Sequence, residues 1–241
     1  MDKVSVIIPT YNRFHFLMNC LNSIKSQTYK NIEIIVVNDC SSENEYYNYD
    51  WENVKIIHLE KNSKKIFRYP CVGYVRNEGI SVAEGKYIAF CDDDDIWFPN
   101  KLDLQIKAMK ESGCKMSFTD GLIGNGEYNE NKRYNKYNSE YYHDLLKKNI
   151  YECEENKEND LLKTKFPKIW DLNFIKIHNC ITCSSVVIEK SILDNINGFK
   201  NMRPPGEDYD CWLRVLEHTD SIYLSEPCFY YDNNHGYGKQ Y

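Results

Sequence analysis

The sequence lacks a long hydrophobic run. No stretch of the 241 residues approaches 18 uninterrupted apolar residues, and the N-terminal MDKVSVIIPTYNR has no basic segment followed by a long apolar one. These patterns argue against a transmembrane helix and against a secretory leader. We therefore expect a cytoplasmic or cytosol-facing protein, with peripheral membrane contact left open.

An excess of positive charge is also missing. The chain has 30 Lys and Arg against 36 Asp and Glu, which gives a net charge of -6. A nucleic-acid-binding protein needs a clustered basic face for the phosphate backbone, so we expect no nucleic-acid partner. The hydrophobic content of 42% and the charged content of 27% are typical of a soluble globular protein, and we expect one domain over residues 1–241.

Two nucleotide-binding motifs are absent. The sequence contains neither G-x-G-x-x-G after its first apolar run nor G-x-x-x-x-G-K-[ST]. These absences exclude the defining phosphate contacts of dinucleotide dehydrogenases and of P-loop enzymes. If the protein binds a nucleotide, its phosphates then need a metal ion.

The ten cysteines include only one C-x-x-C pair, Cys180 and Cys183. A zinc site needs a second ligand pair at comparable spacing, and the sequence has none. We therefore expect buried free thiols in a reducing compartment.

Apolar runs alternate with helical patterns in the first half of the chain, which predicts an α/β fold with a mostly parallel sheet. The predicted strands cover residues 4–8, 32–37, 54–59, 87–91 and 114–118. The predicted helices cover 14–26, 72–84 (ended by Gly85) and 99–112. Residues 120–168 form a polar excursion with one or two helices. A strand at 181–188 and helices at 189–196 and 209–217 follow it.

Polar residues follow the first, second and fourth predicted strands. They are Pro9, Thr10, Tyr11 and Asn12, then Asp39, then the run Asp92 to Asp95. Because parallel strands deliver their carboxyl ends to one edge, we expect these residues to surround one crevice. Asp39 has an alternative role as the N-cap of the segment CSSENE.

The four consecutive aspartates predict a metal site. Mg²⁺ and Mn²⁺ prefer carboxylate oxygen and bridge to substrate phosphates. The alternative is a solvated acidic turn before the next helix, where one aspartate is sufficient.

Four segments in this order resemble glycosyltransferase family 2. They are VSVIIPTYNR, IVVNDCSS, VRNEGISVAEGKYIAFCDDDDIW and PPGEDYDCWLRV. The similar regions cover residues 3–118 and about 181–235. The resemblance implies the GT-A fold and an inverting sugar transferase, with a nucleotide-sugar half at 1–118 and an acceptor half at 119–241. The excursion at 120–168 has no counterpart in this resemblance.

For the donor, the resemblance implies that Pro9 and Tyr11 flank the base, that Asp39 accepts from its imide N–H, and that Arg76 reaches the nucleotide. Residues Thr10 and Asn12 belong to the same predicted site.

For the metal, the resemblance matches Asp92, Asp93 and Asp94 to the D-x-D motif. Asp94 is the expected ligand, and Asp92 or Asp93 is expected to face ribose or metal-bound water. Asp95 is expected to cap the next helix. His235 follows an aromatic run and is a further candidate ligand; the alternative is a surface histidine.

The stretch RPPGEDYDCWLRV supplies Glu207, Asp208 and Asp210 in a turn that opens a helix. Attack by a sugar hydroxyl requires a general base. The resemblance matches Asp208 to that base, with Glu207 as its neighbour in the E-D motif. Helix capping is the competing role for each of the three carboxylates.

The expected activity is metal-dependent transfer of a sugar from a nucleoside diphosphate donor to a hydroxyl of a glycan, lipid-linked or protein-linked acceptor. UDP is the expected nucleotide of the donor. The alternatives are a sugar nucleotidyltransferase and a non-catalytic nucleotide-sugar binder. We expect His178, Ser184 and Ser185 near the acceptor, and Trp97 and Trp212 in the core. The donor sugar and the oligomeric state stay open.

Overall fold

Four parallel strands alternate with helices in the first part of the chain, as predicted. A computed structural model of the protein describes residues 1–152 and 166–234. The parallel strands are β1 (Val4–Thr10), β2 (Ile32–Asn38), β3 (Val54–His58) and β4 (Tyr87–Phe90). They lie side by side in the order β3-β2-β1-β4, so their carboxyl ends share one edge.

The helices of this part cover both faces of the sheet. They are α1 (Phe14–Lys25), α2 (Glu45–Asn48), α3 (Ser63–Phe67), α4 (Val72–Val82) and α5 (Lys101–Ser112). The predicted helix at 72–84 ends two residues early, and Gly85 does not stop it. A Cβ at Gly85 would lie 2.5 Å from Ser5 Oγ, so the glycine is needed where the chain passes close to β1.

The remaining strands make the sheet mixed. They are β5 (Ile96–Trp97), β6 (Met116–Gly124), β7 (Asn135–Lys136), β8 (Ile169–Trp170), β9 (Val186–Glu189) and β10 (Ser221–Asp232). The order is β3-β2-β1-β4-β9-β6-β10-β5, and β9 runs antiparallel to both of its neighbours. The predicted strand at 181–188 is wrong in its first half, because residues Cys183–Ser185 form a 3₁₀ turn.

The helices of the second part are α6 (His143–Glu152), α7 (Leu172–Ile175), α8 (Lys190–Asn195) and α9 (Glu207–Val215). A single π-helical turn, Tyr137–Tyr142, precedes α6. None of the helices within residues 1–152 and 166–234 is long and apolar enough to cross a membrane.

Hydrophobic residues fill a layer on each face of the sheet. Along β1, Val6 and Ile8 pack on the α1 side, whereas Ile7 packs on the α4 side. This alternation follows from the two-residue period of a strand. The sheet is thus packed on both faces. The loops at its carboxyl edge carry the polar residues of the candidate site.

Candidate active site

A cavity of about 400 Å³ lies at the carboxyl edge of the sheet. Residues of both the first and the second part of the chain line it. The polar and aromatic lining residues include Thr10, Tyr11, Arg13, Arg76, Asp92, Asp93, Asp94, Tyr137, Tyr142, His178, Asn179, Glu207, Asp208, Tyr231 and Asp232. Pro9 also lines this cavity, so part of the predicted crevice forms, but Asn12, Asp39 and Asp95 are not among the lining residues.

Arg13 is the first positive charge beside the aspartates. Its Nη1 donates to Asp94 Oδ2 at 2.8 Å and to Asp93 Oδ1 at 3.2 Å. These side chains are at most 13% exposed, so solvent screens the pair weakly. Part of the repulsion among the aspartates is thus offset by an arginine that the sequence analysis did not single out, although it belongs to the PTYNR segment.

Arg76 is the second positive charge. It projects from α4, is 3% exposed, and donates to Asp92 Oδ1 at 2.7 Å and to Glu207 Oε1 at 3.2 Å. One guanidinium thereby ties the aspartate run, which follows β4, to the carboxylates at the start of α9.

The aspartate run retains capacity for a cation. Burial raises the pKa of Asp93 and of Asp94, with the Asp93 charge a further cause at Asp94. Asp93 Oδ2 is buried and accepts no hydrogen bond from the described residues. Those residues do not gather three candidate ligands at one point. Because Mg²⁺ and Mn²⁺ commonly take one or two carboxylates plus phosphate oxygens, the donor set still fits such an ion.

Asp95 does not cap α5, so that prediction is wrong. Its side chain is buried and its Oδ1 accepts from the backbone N–H of Asp232 at 3.3 Å. The carboxylate therefore links the loop after β4 to the end of β10, and the α5 N-cap residue is Asn100.

Asp208 lines the same cavity, at the start of α9. Burial raises the pKa of Asp208 to about 6, with neighbouring Glu207 a smaller cause. Its Oδ1 accepts from Tyr209 N at 2.6 Å and from Asn179 Nδ2 at 3.4 Å. The preceding Gly206 has φ of 115°, a conformation that L side chains rarely adopt. This turn presents Asp208 to the cavity.

Asp210 faces another surface. It pairs with Lys200 Nζ at 2.7 Å and Arg214 Nε at 2.8 Å, which lowers its pKa although partial burial acts in the opposite direction. Of the three carboxylates in this segment, only Glu207 and Asp208 line the cavity.

A family model described as "Glycosyl transferase family 2" matches residues 5–193. The chain belongs to glycosyltransferase family 2. One relative, an uncharacterized glycosyltransferase of Rickettsia bellii, is 40% identical over 119 residues, covering 48% of this chain and 16% of the relative. Another is the Escherichia coli UDP-Glc:alpha-D-GlcNAc-diphosphoundecaprenol beta-1,3-glucosyltransferase WfgD, 30% identical over 220 residues, 89% of this chain and 70% of the relative.

Solved structures confirm the predicted GT-A fold. Staphylococcus aureus TarS residues 1–349 in complex with UDP is 21% identical, with a TM-score of 0.66 over 95% of this chain and 60% of that one. The chain spans 16% and 34% of the first two Rickettsia relatives that it matches and 60% of this TarS structure.

Two of the residues predicted to bind the nucleotide make hydrogen bonds to other residues of the protein. Asp39 is fully buried and accepts from Ser63 N at 2.7 Å and from Ser63 Oγ at 2.6 Å, so it fixes the start of α3. It does not cap CSSENE, where Asn38 Oδ1 accepts from Ser41 N. Asn12 Oδ1 accepts from Ser42 N at 2.8 Å. The contact of Asp39 with a base and the place of Asn12 in the nucleotide site stay predictions.

Several other predictions have a definite outcome. Trp97 and Trp212 are core residues, 1% and 0% exposed. Ser184 lies behind the site, where its Oγ accepts from Asp92 N at 2.9 Å, whereas His178 lines the cavity. Candidate ligand His235 lies outside the described residues.

Cys180 and Cys183 are buried free thiols. Burial raises both pKa values, which disfavours the thiolate needed for zinc binding or redox chemistry. Cys153 lies outside the described residues, and the seven remaining cysteines are also free.

Proposed function

We propose that this chain transfers a sugar from a nucleoside diphosphate donor, UDP-linked, to a hydroxyl of a glycan or lipid-linked acceptor, with inversion at the anomeric carbon. One observation carries the proposal. Asp94 and Asp208 line one cavity, and Arg76 links the aspartate run to the start of α9 through Asp92 and Glu207. Residues 1–118 bind the donor and residues 119–241 bind the acceptor in this proposal.

Asp208 is the general base. Its carboxylate accepts the proton of the acceptor hydroxyl while that oxygen bonds to the anomeric carbon. The bond from this carbon to the diphosphate oxygen breaks on the opposite side, and its electron pair leaves with the diphosphate. Attack and departure on opposite faces invert the configuration, and no covalent sugar-enzyme intermediate forms.

Asp94 and Asp92 are the proposed metal ligands, with His235 a further candidate. A bound Mn²⁺ or Mg²⁺ supplies positive charge that stabilises the leaving diphosphate. Asp93, whose buried Oδ2 accepts no hydrogen bond from the described residues, faces ribose or metal-bound water in this proposal. On the donor side, Pro9, Thr10, Tyr11 and Arg76 line the cavity where the nucleotide binds.

Relatives support the donor and acceptor classes. TarS has been crystallised with UDP and with UDP-GlcNAc, and WfgD is named for a UDP-glucose donor and a diphosphoundecaprenol-linked acceptor. Bacillus subtilis TuaG, 32% identical over 157 residues, 62% of this chain and 59% of TuaG, carries a putative teichuronic acid biosynthesis name. A lipid-linked or polymer glycan is the acceptor class that these names favour.

An assay of UDP release tests the proposal. The protein is incubated with Mn²⁺ and, separately, UDP-glucose, UDP-galactose, UDP-GlcNAc and UDP-GalNAc, with and without octyl glycosides as acceptors. We expect at least one donor to give acceptor-stimulated UDP release and an inverted product anomer. Release of pyrophosphate from UTP instead would indicate a nucleotidyltransferase. Donor binding with no release in the wild type would indicate a binding protein.

A further inference from the structure

Four aromatic rings form a continuous surface that lines part of the cavity. In order they are His178, Tyr142, Tyr137 and Tyr231, and all four line the cavity. Successive ring centroids are 5.5 Å, 4.9 Å and 5.4 Å apart. We refer to these four residues as the aromatic wall. Core packing alone does not account for the wall, because His178, Tyr142 and Tyr231 are only partly buried.

The protein fixes the wall firmly. Tyr137 and Tyr142 belong to the π-helical turn, a rare conformation that is frequent at functional sites. Fully buried Asp120 accepts from Asn138 N at 2.8 Å and from Ser139 N at 3.1 Å, which fixes the start of this turn. Asn138 Nδ2 donates to Cys180 O at 2.7 Å, which ties the turn to the segment that carries His178.

The wall also adjoins the proposed base. His178 is followed by Asn179, whose Nδ2 lies 3.4 Å from Asp208 Oδ1. A ligand on the His178 end of the wall therefore lies next to the carboxylate that must accept a proton. Burial lowers the pKa of His178, so its ring is neutral near pH 7 and carries no charge into this contact.

We propose that the aromatic wall is the subsite for the acceptor's sugar ring, and that Asn179 positions Asp208 beside the attacking hydroxyl. This inference rests on the proposed transferase function. One face of a pyranose presents C–H groups with small positive charge, and aromatic faces are negative, so the two surfaces attract. The edge of the sugar then points its hydroxyls at Asn179 and Asp208.

Two of the four rings come from a region outside the quoted segments that resemble the family. Tyr137 and Tyr142 lie within residues 120–168, outside the segments that resemble glycosyltransferase family 2. The proposed donor-binding lining residues Pro9, Thr10, Tyr11 and Asp94 lie instead in or beside the segments that resemble the family.

Saturation-transfer NMR tests the inference directly. The full chain is mixed with saturating UDP and Mg²⁺, chosen because Mn²⁺ is paramagnetic. The probes are the methyl glycosides of glucose, galactose, GlcNAc and GalNAc, together with octyl glucoside. We expect at least one methyl glycoside to receive saturation on the C–H protons of one ring face. Tyr142→Ala should lower this saturation by at least about fivefold, and Tyr142→Phe should keep it within about twofold.

Tyr128→Ala is the matched control. Tyr128 also belongs to an aromatic cluster, with Tyr134 and Tyr230, but it does not line this cavity. The saturation should be unchanged in this variant. UDP affinity, measured by calorimetry, should be unchanged in all three variants.

The other outcomes are distinct. A parallel loss of UDP affinity in Tyr142→Ala would assign the wall to the donor. Saturation confined to the octyl chain would assign it to a lipid tail. Saturation unaffected by Tyr142→Ala would place the acceptor elsewhere. Each of these overturns the inference while leaving the transferase proposal intact, whereas a wild-type protein that binds no UDP overturns both.

Discussion

Asp208 carries a carboxyl group whose pKa burial raises to about 6. A general base must be unprotonated, so acidification through this pKa removes the base from an increasing fraction of the enzyme. We therefore expect kcat/KM to be constant above about pH 7 and to fall about tenfold per pH unit below about pH 6. A pH profile of UDP release measures this dependence.

Asp208→Asn tests whether Asp208 causes the fall of kcat/KM at acidic pH. An amide cannot accept the proton, so we expect transfer to fall by roughly a hundredfold or more. UDP binding should persist, because Asp208 is proposed to contact the acceptor hydroxyl and not the donor. The slow residual rate should no longer fall as the pH is lowered through about 6. Full activity, or an unchanged fall at acidic pH, would assign the base to Glu207 or another group.

Arg76 compensates two carboxylates, Asp92 and Glu207, from a buried position. Arg76→Met leaves Glu207 buried without its cation, while Asp92, 35% exposed, is partly screened by water. We expect the free energy of unfolding to fall by about 3 kcal/mol, as measured by urea denaturation. Arg76→Lys should recover only part of this loss, since an ammonium lacks the two-pronged geometry.

Lys190→Met provides the control for this loss. Lys190 pairs with Asp194 on the surface of α8, with 25% and 54% exposure. Such a pair contributes less than about 1 kcal/mol. If Arg76→Met costs no more than this control, the Asp92–Arg76–Glu207 bridge does not stabilise the fold.

The sequence allowed the site's chemistry to be predicted where residues follow strands directly. Asp92, Asp93 and Asp94 come immediately after β4, and parallel strands bring them to the edge that holds Tyr11. Arg13 and Asn179 were missed because their roles depend on where a side chain points from a loop. Asp39 shows the same limit, since its partner Ser63 is 24 residues away and no local pattern links the two.

At the scale of elements, Asp120 connects the end of the sheet to the π-helical turn. Its carboxylate accepts four hydrogen bonds: from Gly121 N, Asn138 N, Ser139 N and Tyr223 Oη. Asp120→Ala leaves these donors without an acceptor in a buried place. We expect a loss of about 3 kcal/mol in unfolding free energy.

Hydrogen exchange identifies which element responds. The quantity compared is the ratio of the exchange rate of amides 137–142 to that of the β1 and β2 amides. This ratio should be larger in Asp120→Ala than in the wild type. Asp171→Ala, which removes the N-cap of short α7, should cost only about 1 kcal/mol. Uniformly faster exchange across the sheet would show that Asp120 supports the whole core and not this turn in particular.

Amphipathic periodicity predicted α1, α5 and the four parallel strands within a few residues. Tertiary contacts decided where it failed. Gly85 resembles a helix stop in the sequence, but it allows the chain to pass against Ser5. The apolar run at 181–188 alternates too little to separate strand from turn, and only Val186–Glu189 pairs with neighbours.

At the scale of the whole molecule, the site is made by long-range pairing. Strand β9 enters between β4 and β6, which brings the second part of the chain against the aspartates. Hydrophobic patterns report which residues are buried, but they do not report which strands become neighbours. The sequence therefore predicted cavity residues that follow strands of the first part, such as Tyr11 and Asp94, but not Tyr142 or Asn179.

Ligand binding to the assembled cavity should raise the thermal stability of the entire chain. At about 100 times its Kd, a ligand that binds only the folded state adds about 2.7 kcal/mol. For a chain of this length we expect UDP with Mn²⁺ to raise the Tm by about 5 to 10 °C, as measured by calorimetry. UDP without metal should raise it much less, because the diphosphate then faces Asp92 and Asp94 without compensation.

Asp94→Asn separates the metal contribution from the rest. Replacing a carboxylate ligand by a neutral amide should remove the Mn²⁺-dependent part of the Tm increase and keep the smaller part due to UDP alone. Asp194→Asn, a surface carboxylate on α8, should keep both parts. Asp94→Asn also loses the Arg13–Asp94 ion pair, which changes the Tm of the unliganded protein. The ligand-induced increase in Tm is therefore measured within each variant, so that this change cancels. An Asp94→Asn protein with the full Mn²⁺-dependent increase would show that the cation binds elsewhere, and the predicted metal site would be wrong.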